Sequence, residues 1–422
     1  MAPKEWTVTK LKYVISSMKS GGTPDSSNPD YYNEDGTPWV AISDMSCADY
    51  IKETSKHLTP EGVASKNLTV YPVGTVLYSI YATIGKVSEL STPACVNQAI
   101  LALTPSKIID KAFLKYVLRS QEDFVISLSS SNTQANLSAE KVSNLEFLLP
   151  SLDEQQKIAA FLDYKTGKID RLTEMLTARI EDLKKYRQSV ITDAVTKGLD
   201  TSAKFSPSGV EWIGNIPESW IPLKCGILFK MGSGTTPKSG EESYYCDEGK
   251  NWLQTGDLTD GLVTETNKHL SDKAFEDYSL TIYPKGSVVI AMYGATIGKL
   301  GILDIESATN QACCVFTESA RMNNRYAYYC LMASRQSLKS YANGGGQPNI
   351  SQALLKEWKL PVPPIQEQQA IAEYLDRKTK QIDDTIAATE QQIKDLQAYR
   401  ASLISEAVTG QIDVRDWTAP EK

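Results

Sequence analysis

Residues 150–200 read PSLDEQQKIAAFLDYKTGKIDRLTEMLTARIEDLKKYRQSVITDAVTKGLD, and residues 363–413 read PPIQEQQAIAEYLDRKTKQIDDTIAATEQQIKDLQAYRASLISEAVTGQID. Set against each other at an offset of 213, positions 153–200 and 366–413 are identical at 22 of 48. The pairs include Glu154/Glu367, Gln155/Gln368, Leu162/Leu375, Asp163/Asp376, Tyr186/Tyr399 and Arg187/Arg400. A match of this strength marks an internal duplication. Within each copy, apolar residues recur at three, four or seven: Ile158, Leu162, Ile169, Leu172, Leu176, Leu183 and Val190, then Ile371, Leu375, Ile382, Ile386, Ile393, Leu396 and Leu403. That period is helical. Ser151 with Glu154 fits a capping box, Pro364 stands where the second copy would need Ser151, and Gly198 and Gly410 stand at the far ends. Some 45 residues at about 1.5 Å each give a rod of about 65–70 Å. A rod that long with a narrow apolar stripe calls for a partner helix. Two such helices in one chain can pair antiparallel, with a globular domain at each end and an approximate internal two-fold axis.

Outward from the helices the duplication continues in islands. Thr23-Pro24 answers Thr236-Pro237, Trp39 answers Trp252, Asp44 answers Asp257, and Asn97-Gln98 answers Asn310-Gln311. YPVGTVLYSIYATIGKV at 71–87 answers YPKGSVVIAMYGATIGKL at 283–300, with Gly294 inserted. Stretches near 25–38, 45–70 and 106–133 do not match their counterparts. The expected layout is a domain over 1–150, a helix over 151–200, a second domain over 201–362, a helix over 363–413 and a tail over 414–422. Short β-branched and aromatic runs followed by helical stretches near 111–127 and 323–341 make each domain mixed α/β, and the whole chain α+β.

Composition narrows the function. The 422 residues carry 44 Lys+Arg against 51 Asp+Glu, a net charge of −7, and no segment of the layout is net positive. The charge therefore argues against a protein that holds DNA or an anionic membrane by bulk electrostatics. Seven cysteines without a C-x-x-C pair, and only two histidines, give no zinc spacing and suit buried, reduced thiols in the cytoplasm. No run of about eighteen apolar residues is present, so membrane insertion is not expected. His57 and His269 have no neighbouring nucleophile or second ligand, and the G-x-S-x-G, H-E-x-x-H and Rossmann G-x-G-x-x-G motifs are absent. No catalytic residue and no metal ligand is assigned.

Several motifs suit contact with a nucleic acid, and each has a bland alternative. The ATIGK islands carry Tyr81, Thr83, Gly85 and Lys86 in one copy and Tyr293, Thr296, Gly298 and Lys299 in the other. Backbone N–H groups and an ammonium there suit a phosphate oxygen, or the segment is a hairpin turn with a solvated lysine. A triphosphate loop does not fit, because Val87 and Leu300 follow the lysines where a hydroxyl is required. Gly22 and Thr23, like Thr235 and Thr236, combine flexible backbone with a hydroxyl, whereas Thr133, Gln134, Asn136, Gln347 and Asn349 offer groups that read base edges. The same residue types also cap helices and close turns. Asn97-Gln98 adjoins an apolar run and reads as a buried backbone partner.

Taken together, SPSGVEWIGNIPESW at 206–220, the helix starts PSLDEQQKIAAFLD and PPIQEQQAIAEYLD, and the helix ends YRQSVITDAVTKGLD and YRASLISEAVTGQID resemble the DNA-specificity subunits of Type I restriction-modification systems over nearly the whole chain. The resemblance implies two target recognition domains, each reading half of a bipartite, asymmetric DNA sequence. The helices would set the spacer and dock two methyltransferase (modification) subunits, with Gln155, Gln156, Tyr186, Arg187, Gln368, Gln369, Tyr399 and Arg400 as candidate partner contacts. S-adenosylmethionine would belong to those subunits, and ATP and magnesium to a restriction subunit. This chain would bind no cofactor and catalyse nothing. The acidic balance then implies weak DNA binding by the isolated chain. A coiled-coil protein–protein adaptor that does not bind DNA is the alternative.

Overall fold

The computed structural model describes residues 5–45, 49–128, 137–341 and 349–419. The chain divides into two compact units, Met1–Thr177 with Glu390–Lys422, and Ala178–Thr389. Both boundaries fall inside long helices, the central helix Leu152–Lys197 and the C-terminal helix Ile365–Val408. Each unit therefore owns one sheet-rich domain, the first part of the helix that follows it, and the last part of the other helix. The identities between the repeats have the same pattern, since none falls between 171 and 179, around the boundary.

The first unit is built on a five-stranded sheet in the order Ile15–Ser20, Ile100–Pro105, Val76–Ser79, Val87–Leu90, Tyr50–Ile51. Its neighbours are antiparallel except the last pair, which is parallel. In the second unit Met231–Ser233, Cys313–Phe316, Val288–Ala291, Leu300–Leu303 and Gly261–Val263 repeat this order and its directions. The middle strands Val76–Ser79 and Val288–Ala291 are buried throughout because both faces of the sheet are covered. Side chains alternate in a strand, so Val76 and Tyr78 join the core under helix Lys111–Ser120, while Leu77 joins a second core with Ile51 and Ala94. In the second unit Val288 and Ile290 face helix Asn324–Ser340, and Val289 and Ala291 face away. Cys313 and Cys314, adjacent in sequence, fall into opposite cores. The six described cysteines are all unpaired. Burial pushes the Cys314 thiol up to about 12, so it stays protonated and unreactive.

A smaller sheet, Lys56–Leu58, Tyr32–Val40 and Cys95–Val96, accompanies the first large one, and a four-stranded sheet accompanies the second. A two-stranded ribbon ties each domain to the residues that lead into its helix: Thr7–Lys10 with Glu146–Leu149, and Ile221–Lys224 with Lys359–Val362.

The helix ends follow the chemistry of their caps. Ser151 N–H donates to Glu154 Oε2 at 3.1 Å and Glu154 N–H to Ser151 Oγ at 3.4 Å, a reciprocal box. Pro364 cannot supply a side-chain cap, and there Glu367 Oε2 accepts the Trp220 indole N–H at 3.1 Å. Gly198 and Gly410, past the two C-termini, have φ of 74° and 71°, which only glycine adopts readily.

Within the first unit the helix segments run antiparallel. Asp170 meets Arg400, and farther along Lys157 Nζ donates to the Arg415 carbonyl at 2.8 Å, so rising numbers on one side face falling numbers on the other. Ile158, Leu162 and Ile169 share a core with Leu403, Ile404 and Ala407. In the second unit Arg187 meets Asp383, and Ile191 and Val195 share a core with Ile371 and Leu375. Among the described residues no helix is long and apolar enough to cross a membrane.

Candidate nucleic-acid interface

At the end of each large sheet a glycine loop crosses a strand of the smaller sheet. A Cβ on Gly21 would lie 1.7 Å from the Val96 carbonyl oxygen, and one on Gly234 would lie 1.6 Å from that of Thr309, so only glycine permits the crossing. The loop is then fixed by bonds that recur at an offset of 213. The Trp39 indole donates to Gly22 O at 3.0 Å and Trp252 to Thr235 O at 3.2 Å, while the Tyr32 and Tyr245 phenols donate to Pro24 O and Pro237 O. The fixed loop aims the Thr23 hydroxyl at Gln98 Oε1 and the Thr236 hydroxyl at Gln311 Oε1.

Gln98 and Gln311 are exposed. Their neighbours Asn97 and Asn310 are the backbone partners, accepting from Ala99 N–H at 3.0 Å and Ala312 N–H at 3.1 Å. The expectation for Asn97-Gln98 holds for its first residue as a backbone partner, though Asn97 is half-buried rather than buried, and fails for its second, because the turn closed by the asparagine directs the glutamine outward. In the second unit the Tyr293 phenol also bonds Gln311; burial raises its pKa and the amide partly offsets that. Tyr293 pairs by backbone with Asn349. Thr236, Tyr293, Gln311 and Asn349 thus share one rim. A glutamine amide whose oxygen is held by a threonine has its N–H₂ group directed, a donor chemistry suited to base edges, and in Gln311 the Tyr293 phenol shares that donor. Tyr81, at the matching place in the first unit, is 41% exposed.

The ATIGK segments are turns whose backbone is already used. Gly85 N–H donates to Ser79 O and Lys86 N–H to Ser79 Oγ, both at 3.0 Å; Gly298 N–H donates to Ala291 O at 2.8 Å and Lys299 N–H to Thr296 O at 2.9 Å. Gly85 and Gly298 are buried with φ of 86° and 78°. Their role as phosphate-binding amides is corrected: these N–H groups close the turn, and the charged group left beside each is the lysine. Thr83 is corrected too, since its hydroxyl is enclosed, whereas Thr296 supplies its carbonyl to the turn. Gly22 spends both backbone groups inside the domain, its N–H on Val96 O at 3.1 Å, so it too is structural. Thr133, Gln134, Asn136 and Gln347 lie outside the described residues. The segments that follow the undescribed stretches pair directly before the turns, Leu137 N–H with Ile80 O and Ile350 N–H with Met292 O.

A family model described as the Type I restriction modification DNA specificity domain matches residues 3–183 and again 217–396. The chain belongs to this family. Among its relatives, the specificity subunit of the Type I restriction enzyme MjaIX of Methanocaldococcus jannaschii is 23% identical, covering 98% of this chain and 95% of that protein. The MjaVIII specificity subunit of the same organism is 25% identical, covering 98% and 94%. A chain solved in a study of complex assembly and conformational transition of the type I R-M system superposes with a TM-score of 0.78 at 17% identity, covering 98% of this chain and all of that one. The HsdS subunit of Thermoanaerobacter tengcongensis gives 0.54 at 18% identity, covering 97% and 98%. The α+β fold with two sheet-rich domains and two long helices is that of these structures.

On the helices of this specificity protein, half of the expected partner contacts turn inward. Gln155 and Gln368 are buried. Gln155 accepts from Asp110 N–H at 2.7 Å and donates to Ile108 O and Pro150 O; Gln368 accepts from Asn323 N–H at 2.8 Å and donates to Arg321 O and Pro363 O. These amides fasten each specificity domain to its own helix, and burial removes them from any other chain. Arg187 and Arg400 are likewise corrected, because their guanidinium groups face Asp383 and Asp170 within this chain, at 2.8 and 2.9 Å. Gln156 and Gln369 are exposed, and Tyr186 and Tyr399 are 50% and 54% exposed. His57 and His269 lie in strands of the smaller sheets. Among the described residues no group of three or more His, Cys, Asp or Glu could hold a metal.

Proposed function

We propose that this chain is the address-reading subunit of a Type I restriction-modification complex and performs no chemistry itself. Each unit reads one half of a bipartite, asymmetric duplex target, through the Thr-Gln rim, Tyr81 or Tyr293, and the loops beside them. The two long helices set the unread spacer and receive two methyltransferase subunits, with Tyr186 and Tyr399 as equivalent exposed contacts. S-adenosylmethionine enters with those subunits, and ATP and magnesium with a restriction subunit, all in the cytoplasm where the DNA is. The observation that carries this reading is duplication with divergence: one hydrogen-bonded scaffold occurs twice under the same family model, and different loops are mounted on it. A reader of two unlike half-sites needs that combination. A protein–protein adaptor has no observation in its favour.

Mapping methylated adenines in the host genome, with and without this gene, tests the reading. The expected result is loss of one bipartite motif on deletion. Substituting Gln98 and Gln311 by alanine in turn should relax different halves of that motif, each by about 1–3 kcal/mol of discrimination. An unchanged methylation map in the deletion strain refutes the function.

A further inference from the structure

The two ATIGK turns have the same backbone and opposite electrostatic settings. Under each turn glycine one of the packing residues comes from the same position of the repeat. A Cβ on Gly85 would meet Val125 Cγ2 at 3.0 Å and Glu122 Cγ at 3.2 Å, and a Cβ on Gly298 would meet Lys339 Cε at 3.0 Å and Arg335, which answers Glu122, at 3.1 Å. In the first unit the Lys86 ammonium lies 2.6 Å from Glu122 Oε1, with both side chains partly open to solvent. In the second unit Arg335 is held by Asp260, at 2.9 Å between Nη1 and Oδ2. Lys299 is exposed, and among the described residues no carboxylate lies within ion-pair distance of it. The Gly85, Lys86, Gly298 and Lys299 N–H groups are bonded internally, so the charged group each turn can offer an anion is its lysine.

We propose that Glu122 is an internal substitute for a DNA backbone phosphate. Its carboxylate occupies the Lys86 ammonium until duplex displaces it, so the first domain grips the backbone weakly. The second domain, with Lys299 and Lys339 beside its turn, grips without that competitor and anchors the complex. A phosphate reaching Lys86 must replace an existing ion pair, whereas one reaching Lys299 displaces only water and counterions. The inference rests on the DNA-reading function above, and it assigns the two half-site readers unequal roles that the symmetry of the scaffold conceals.

The test is fluorescence anisotropy with a labelled duplex of random sequence over a salt series, using the full chain alone and assembled with its methyltransferase subunits. Glu122→Gln should raise affinity roughly two- to fivefold at low salt and steepen the plot of log K against log salt by about one. In a Lys86→Gln background the same change should have no effect. Lys299→Gln should weaken binding more than Lys86→Gln does, a contrast that stands even where Glu122→Gln fails to fold in a melting control. An unchanged slope in Glu122→Gln, a gain that persists without Lys86, or equal losses from the two lysine variants overturns the proposal. Failure of the wild-type assembly to bind any duplex is a different outcome, and it sinks the underlying function and this inference together.

Discussion

The strand Val87–Leu90 of the first unit and its counterpart Leu300–Leu303 in the second occupy the same place in equivalent sheets, yet they are held by different forces. In the first, Glu89 receives Lys111 and Lys115 at 2.6 Å each, and Lys115 lies 4.6 Å from the centre of the Tyr50 ring. In the second, the three equivalent positions are Ile302, Asn324 and Tyr328; Asn324 Nδ2 donates to Gly286 O at 2.7 Å and the Tyr328 phenol donates to Asp260 O. By contrast, Gln155 and Gln368, or Tyr116 on Asp163 and Tyr329 on Asp376, repeat bond for bond. Where a domain is fastened to its long helix, both units keep the same hydrogen bonds. Beside the strand, an ionic cluster in one unit and an apolar residue with two hydrogen bonds to backbone carbonyls in the other fill the same place.

Removing the carboxylate tests the ionic solution most severely. Glu89→Ala leaves the nearly enclosed Lys115 ammonium without its counter-charge and should cost about 3–5 kcal/mol, confined to the first unit in hydrogen exchange read residue by residue. Burial raises the Glu89 pKa, but the two lysines outweigh it and hold the carboxyl below its ordinary 4.5. A depressed folded value means that this stabilisation is present above the ordinary value and is lost as pH falls through the folded one. Acid should therefore loosen this strand before Leu300–Leu303, and simultaneous loosening would show that the two solutions are equivalent. Gln155→Ala and Gln368→Ala come next. Each deprives two carbonyls and one N–H of their partner, and each should cost about 2–4 kcal/mol in chemical denaturation; a large inequality would break the idea of a shared obligatory bond. Arg187→Ala and Arg400→Ala should cost least, about 0.5–1 kcal/mol, because Asp383 and Asp170 remain half-exposed.

The long helices were legible because their signals are local: a 3.6-residue period, the Ser151–Glu154 box, and the terminal glycines. The duplication was legible because identity needs no structure to be counted. The direction in which a repeated polar residue faces was not legible. Gln155 and Tyr186 both carry polar groups, are both repeated and lie on one helix, but the first is bonded to a backbone amide 45 residues away and the second is half-exposed. The inward turn of Arg187 depends on a carboxylate 196 residues away. At the rim, the tie between Thr23 and Gln98 spans 75 residues, a distance over which periodicity carries no information. The ammonium of Lys86 can be read from the sequence, but its engagement by Glu122 arises from helix packing under Gly85 and cannot.

The division of the chain through the middle of both helices also sets an order of events during synthesis. The second unit is one contiguous stretch, Ala178–Thr389, whereas the first joins Met1–Thr177 to Glu390–Lys422. Its closing contacts, Arg400 with Asp170 and Lys157 with Arg415, bridge 230 and 258 residues. The unit that leaves the ribosome first is therefore the last to be completed, and until the second long helix arrives the core around Ile158, Leu162 and Ile169 lacks Leu403, Ile404 and Ala407.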